Sequence, residues 1–74
     1  MVNLTEIKEH KSCRIVEIRG GKELIRKLDS LGVRPGVKIT KISSHFLKGP
    51  VTIHAGCTEL ALGHGMAKQI IVEG

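Results

Sequence analysis

Apolar residues recur along this chain with two different spacings, and the switches between them mark its elements. From Gly20 to Val37, GGKELIRKLDSLGVRPGV, the apolar residues Leu24, Ile25, Leu28 and Leu31 fall at i, i+1, i+4 and i+7, while Lys22, Glu23, Arg26, Lys27, Asp29 and Ser30 take the other side. This predicts one short amphipathic helix ending at about Leu31. Gly32 then stands where a left-handed residue closes a Schellman stop, and Val33 falls where it meets Leu28 across that stop. Arg34-Pro35-Gly36-Val37 follows with proline and glycine at the positions a type II turn requires, so the chain reverses into a strand.

On either side of the helix the spacing falls to two. CRIVEIR, Cys13 to Arg19, is rich in β-branched residues and predicts a first strand with Val16 and Ile18 inward; Gly20-Gly21 ends it. The second strand, Val37 to about Ser43, places Val37 and Ile39 in phase and then Ile42 out of phase, which predicts a bulge or sharp bend near Thr40-Lys41. Val51, Ile53 and Ala55 alternate with Thr52 and His54 in a third strand. Gly56 turns the chain, Leu60 and Leu62 face inward in a fourth, and Gly63 to Ala67 reads as a tight connector. Gln69 to Glu73 is the fifth strand, with Ile70 and Val72 inward. Ahead of all this, Asn3 stands three residues before Glu6 as a helical cap, with Leu4 and Ile7 facing the core, the pattern of a single turn plugging one end. Five short strands and one inserted helix predict a mainly β fold, a small, partly open barrel.

Length and composition narrow this further. Seventy-four residues make one domain, and a chain of this size buries only roughly 60% of its unfolded surface, so its stability is modest. Cys13 and Cys57 are too few and too isolated for a disulfide framework, which points to a reducing, cytoplasmic setting; no apolar run approaches membrane-spanning length. The net charge is +5, and from Lys8 to Lys48 eleven Lys and Arg face four acids. These charges are spread along elements rather than clustered, the pattern of a solvated face, although an acidic partner would suit them.

Chemistry is sparse. Gly63-His64-Gly65 lacks the third glycine and the following helix of a dinucleotide fingerprint, and Gly21-Lys22 lacks the first glycine and the hydroxyl residue of a phosphate loop. Ser30 and Asp29 have no histidine near them in sequence, so no catalytic group is predicted and the chain reads as a non-enzyme. His10, His45, His54, His64, Cys13 and Cys57 match no metal-ligand spacing, and no metal site is predicted; Cys57 and His64 approach one another only if the strand between them is short. With one Phe and no Tyr or Trp, the chain lacks the aromatic surface that binds proline-rich peptides or stacks on single-stranded nucleic acid. A protein-binding module remains. Apolar side chains surplus to the core stand in the loop of Phe46, Leu47, Gly49 and Pro50, where Phe46 either caps the barrel or anchors a partner, with Val33 and Arg34 as a second candidate patch.

CRIVEIRGG, KELIRKLDSLGVRPGVKIT, FLKGP and TELALGHGMAKQIIVE together resemble ferrous iron transport protein A, the FeoA family, along nearly the whole chain. The family commonly has Pro-Gly ahead of the first strand, where this chain has Glu9-His10-Lys11, and a mid-loop closer to LGDP than Leu47-Lys48-Gly49-Pro50. The resemblance implies an SH3-like barrel in the cytoplasm that supports Fe(II) uptake by acting on a large membrane ferrous iron transporter with a cytosolic GTP-binding domain. It touches the membrane through that partner only, and no cofactor is expected; association with Fe(II) itself stays open, although the spacings show no ligand set for it. The chain also looks like the C-terminal domain of iron-dependent repressors, here without a DNA-binding domain, so no DNA partner is expected. The alternative reading is a free-standing SH3-like module that binds nucleic acid or the ribosome, which the positive charge suits.

Overall fold

A computed structural model describes residues 1–44 and 49–73. Its strands are β1 (Val2–Asn3), β2 (Ser12–Ile18), β3 (Lys38–Ser44), β4 (Val51–Ala55), β5 (Thr58–Leu62) and β6 (Ile70–Glu73); its helices are α1 (Lys22–Ser30) and α2 (His64–Lys68), with a 3-10 turn at Leu4–Glu6. One antiparallel sheet runs β1-β6-β2-β3-β4-β5. The chain spans 28 × 23 × 23 Å, far thicker than the roughly 10 Å of a flat sheet layer, because the sheet coils with its helices around one core. The predicted mainly β, barrel-like fold is what forms, left open between the edge strands β1 and β5.

The core follows the predicted parities on most strands. Val51, Ile53 and Ala55 of β4, Leu62 of β5 and Ile70 and Val72 of β6 are all buried, with Leu60 half-buried against them. Gly56 turns the β4–β5 hairpin at φ 63°. Leu4 and Ile7 plug the interior as expected, and the turn between them carries the capping box in full: Thr5 N–H donates to Asn3 Oδ1 (2.9 Å) and Asn3 N–H to Glu6 Oε2 (3.0 Å).

Four expectations are corrected. Val16 is exposed, because the β2–β6 register shifts between Ile15 and Glu17; the inward set is Cys13 and Ile15 before this irregularity and Ile18 after it. The strands number six rather than five, because Val2–Asn3 pairs with Val72 and Ile71 over a stretch too short to show any alternation. The connector after Gly63 contains α2, whose Ala67 is fully buried; its internal Gly65 had masked the helical spacing. The slip in β3 lies between Lys41 and Ser43, about a residue beyond the Thr40-Lys41 expected, so Lys41 stays in phase with Ile39 and enters the core at 2% exposure, while Ile42 is half-buried.

Lys41 is the one buried charged residue among those described. Its Nζ donates to the carbonyls of Leu4 (3.3 Å), Thr5 (3.2 Å) and Ile7 (2.6 Å), which satisfies all three ammonium protons and the carbonyl end of the 3-10 turn. Its backbone ties down the next segment, accepting from His10 N–H and donating to Lys11 O (3.0 Å). His10 has φ 67° in a turn closed by Lys11 N–H to Lys8 O (3.3 Å), a left-handed position uncommon for a residue other than glycine.

Two outcomes test this construction. Leu28 is fully buried, so Leu28→Ala is expected to lower unfolding free energy by about 2–5 kcal/mol, a large part of the total for so small a domain, as read by urea titration. Lys41→Met leaves three carbonyls unpaired and is expected to destabilise by about 1–3 kcal/mol. Burial pushes the Lys41 amine below its ordinary 10.5, with Glu9 and Cys13 pulling partly back. Between the lowered value and 10.5 the folded protein therefore holds fewer protons at this site than the unfolded chain, and the contribution of Lys41 to stability rises with pH. The wild-type advantage over Lys41→Met should grow across that window, and an advantage that shrinks there refutes the assignment.

Candidate protein-binding surface

The helix α1 and the turn after it form the most elaborated surface of the molecule. Gly20 lets the chain leave β2 at φ 118°, a left-handed conformation that favours glycine; a Cβ there would meet only the end of the Leu24 side chain, 2.8 Å away at Cδ2, which can swing aside. The helix ends in the predicted Schellman stop: Gly32 at φ 88°, Val33 N–H to Leu28 O (2.8 Å) and Gly32 N–H to Asp29 O (3.0 Å). The type II turn follows, with Gly36 at φ 94° and Val37 N–H to Arg34 O (3.2 Å); Gly36 N–H also donates to Ile15 O (2.8 Å), which fastens the turn to β2.

At about 100° per residue, Leu28 lies at the centre of the apolar stripe, with Ile25 and Leu31 about 60° to either side. The exposures follow that geometry: Leu28 is fully buried, whereas Ile25 stays 39% and Leu31 40% exposed. The stripe is wider than the core it serves. On the Ile25 side it borders a groove of about 320 Å³ whose apolar floor is Ile18, Ile25, Val33 and Pro35. Lys22 and Arg26, one helical turn apart, flank it on the helix, and Arg34 comes from the turn. The single acid of the lining, Asp29, meets Arg34 Nε at 3.5 Å, with both side chains more than half exposed; such a pair holds weakly and exchanges readily.

The sequence-predicted residues fare differently. Arg34 is exposed on this groove, while Val33 is fully buried beneath it and offers little surface of its own. Phe46 and Leu47 lie outside the described residues; of their neighbours, Gly49 is half-buried and Pro50 exposed. In the sequence Ile25 and the basic pair Lys22 and Arg26 stand out only as parts of the two helix faces, and the signal that finds them is the apolar stripe itself, wide enough to overhang a small core.

A second cleft, of about 360 Å³, lies over Cys13 between Ser12, Arg14, Lys38 and Glu73. Cys13 is 4% exposed, a core residue, and burial raises its thiol pKa against the opposing pull of Lys11 and Lys41. Cys57 is exposed at the β4–β5 turn and His64 opens α2, with the whole of β5 between them. Among the described residues no three His, Cys, Asp or Glu side chains group as a metal site would require.

Comparison with known proteins places this geometry. The family described as FeoA domain matches residues 2–74. A crystal structure of an iron uptake regulatory protein, FeoA, is 33% identical, superimposes with a TM-score of 0.86, and is covered to 93% by 97% of this chain. The zinc complex of FeoA from Stenotrophomonas maltophilia, described as a procaryotic SH3 domain protein and a candidate ferrous iron transport activating factor, is 22% identical with a TM-score of 0.82 over 99% of this chain and 91% of that one. The metal-dependent transcriptional regulator MtsR is 25% identical with a TM-score of 0.85, but 97% of this chain covers only 34% of it. No curated protein sequence matches the chain.

Because Ile25 is surplus to the core, Ile25→Ser is expected to change unfolding free energy by about 1 kcal/mol or less, in contrast to Leu28→Ala one turn along the same helix. Thermal melts of the two variants side by side check this, and a comparable loss in both would make Ile25 a core residue.

Proposed function

This chain belongs to the FeoA domain family, and we propose that it supports ferrous iron uptake as a non-enzymatic accessory protein that binds the cytosolic GTP-binding part of a membrane ferrous iron transporter. The observation that carries the reading is the 33% identity, over nearly the full length of both chains, to a protein described as an iron uptake regulator. The zinc-bound Stenotrophomonas relative, described as a candidate transport activating factor, points the same way. Physical features agree with a binding role. The domain is basic, with a net charge of +5, and presents an apolar groove with a cationic rim, a surface suited to another protein. No described helix is long and apolar enough to cross a membrane. In this reading the chain works in the cytoplasm and reaches the membrane through its partner, and Fe(II) is the transporter's cargo rather than a resident cofactor of this domain.

Uptake of radiolabelled Fe(II) by iron-limited cells tests the reading. Loss of the chain is expected to lower uptake several-fold, and re-expression to restore it; unchanged uptake refutes the role. The loop residues Phe46, Leu47, Gly49 and Pro50 belong to the proposal as a second contact, with Phe46 and Leu47 as its apolar anchors. Phe46→Ala combined with Leu47→Ser is expected to leave the fold intact and abolish support of uptake, whereas loss of folding assigns Phe46 to the barrel interior. Retention of RNA in place of the transporter, with a steep dependence on salt, would favour a nucleic-acid module instead.

A further inference from the structure

We propose that the groove beside α1 is the surface on which this domain receives its partner, and that the occupant is a protein segment presenting apolar side chains flanked by carboxylates. The inference deepens the accessory role proposed above and rests on it. Three observations carry it. The helix exposes apolar surface that the core does not use, since Leu28 already fills the interior while Ile25 remains 39% exposed on the groove floor beside Pro35. Single exposed apolar residues are ordinary; one that continues into a concave apolar floor is the pattern of an interaction site.

Charge selects the occupant. Lys22, Arg26 and Arg34 stand against Asp29 alone, three positive groups to one negative, for a net +2 around the groove. Asp29 occupies Arg34 through an exposed contact of 3.5 Å, which an incoming carboxylate displaces at little cost and replaces with a bidentate pair. A phosphodiester chain would meet the same cations, but the floor is aliphatic, without an aromatic face on which a base stacks. An amphipathic acidic segment matches both halves of the groove, its apolar positions entering the floor and its carboxylates reaching the rim. The groove is also set before binding. The Schellman stop holds Val33 to Leu28 O at 2.8 Å, and Gly36 N–H fastens the turn to Ile15 O at 2.8 Å, so little ordering remains to be done on this side.

The test uses the full chain and the purified cytosolic GTP-binding part of the ferrous iron transporter from the same organism. Calorimetry at low and high salt compares wild type with Ile25→Asp, which charges the floor, and with Arg26→Glu plus Arg34→Glu, which inverts the rim. Each is expected to weaken binding at least tenfold, with Ile25→Leu retaining it and the wild-type affinity falling as salt rises. Amide chemical-shift changes in the wild-type chain on titration provide a readout independent of any variant's folding, and they are expected to concentrate between Ile18 and Gly36. Wild-type binding that the floor and rim variants leave unchanged, or shift changes confined to other elements, overturns the groove while the accessory role stands. Absence of wild-type binding overturns the transporter as partner and the groove assignment with it. Rim-dependent binding of an RNA oligonucleotide that Ile25→Asp does not weaken also overturns it, because the floor then takes no part.

Discussion

The fold depends on one buried cation and the three carbonyls that hold it. Lys41 stands on β3 just before its register shift, and its ammonium binds Leu4 O, Thr5 O and Ile7 O. Without it the carbonyl end of the N-terminal turn would face the interior unpaired; without the turn, a lysine would enter the core with nothing to donate to. Each makes the other tolerable. The capping box fixes the opposite end of the same turn through Asn3 and Glu6, so a segment of three residues is held at both termini and can place Leu4 and Ile7 in the core. The β3 backbone beside Lys41 also pairs with His10 and Lys11, which brings β2 into register with β3.

The register irregularities explain which parts of this architecture could be read from sequence. Strands β4 and β6 keep one parity throughout, and their inward residues were correctly expected. Strands β2 and β3 change parity partway, since each has to bend to close a small sheet around so little interior. On β3 the slip was visible as Val37, Ile39, then Ile42, but the location was not, because apolar spacing treats a lysine as an outward residue. Position 41 in phase with 37 and 39 was the available sign. A lysine at an inward parity requires carbonyl partners, and those lay some thirty-five residues earlier in the chain, beyond the reach of any local pattern.

Local chemistry was the better guide around the helix. The Gly32 stop and the Pro35-Gly36 turn follow from steric rules that act within four or five residues, and both form as those rules require. What they position was harder to see. Val33 carries two expectations, a Schellman contact with Leu28 and a place in a surface patch with Arg34, and its full burial fits the first. Ile25 reads as a core residue from its place in the stripe, yet a domain this small has no room for the full width of an amphipathic face. The exposed surface results from a mismatch between a helix of ordinary amphipathicity and an unusually small interior, and such a mismatch appears only once the whole fold is assembled.

That mismatch bears on how so small a domain can leave an apolar groove exposed at all. Apolar groups left in water contribute nothing to folding, and with a modest total stability they are tolerable only where the backbone beneath them is fixed by other means. Here it is fixed by short-range hydrogen bonds: the stop at Leu28–Val33, the turn at Arg34–Val37 and its attachment to Ile15. These bonds hold the groove walls whether or not the floor is covered, so Ile25 can remain exposed and the Asp29–Arg34 contact can open without loosening the core. The division of labour is spatial. The sheet, Lys41 and the buried Leu28 secure the fold, and the outer side of the helix with its two consecutive turns keeps a cationic, apolar surface exposed.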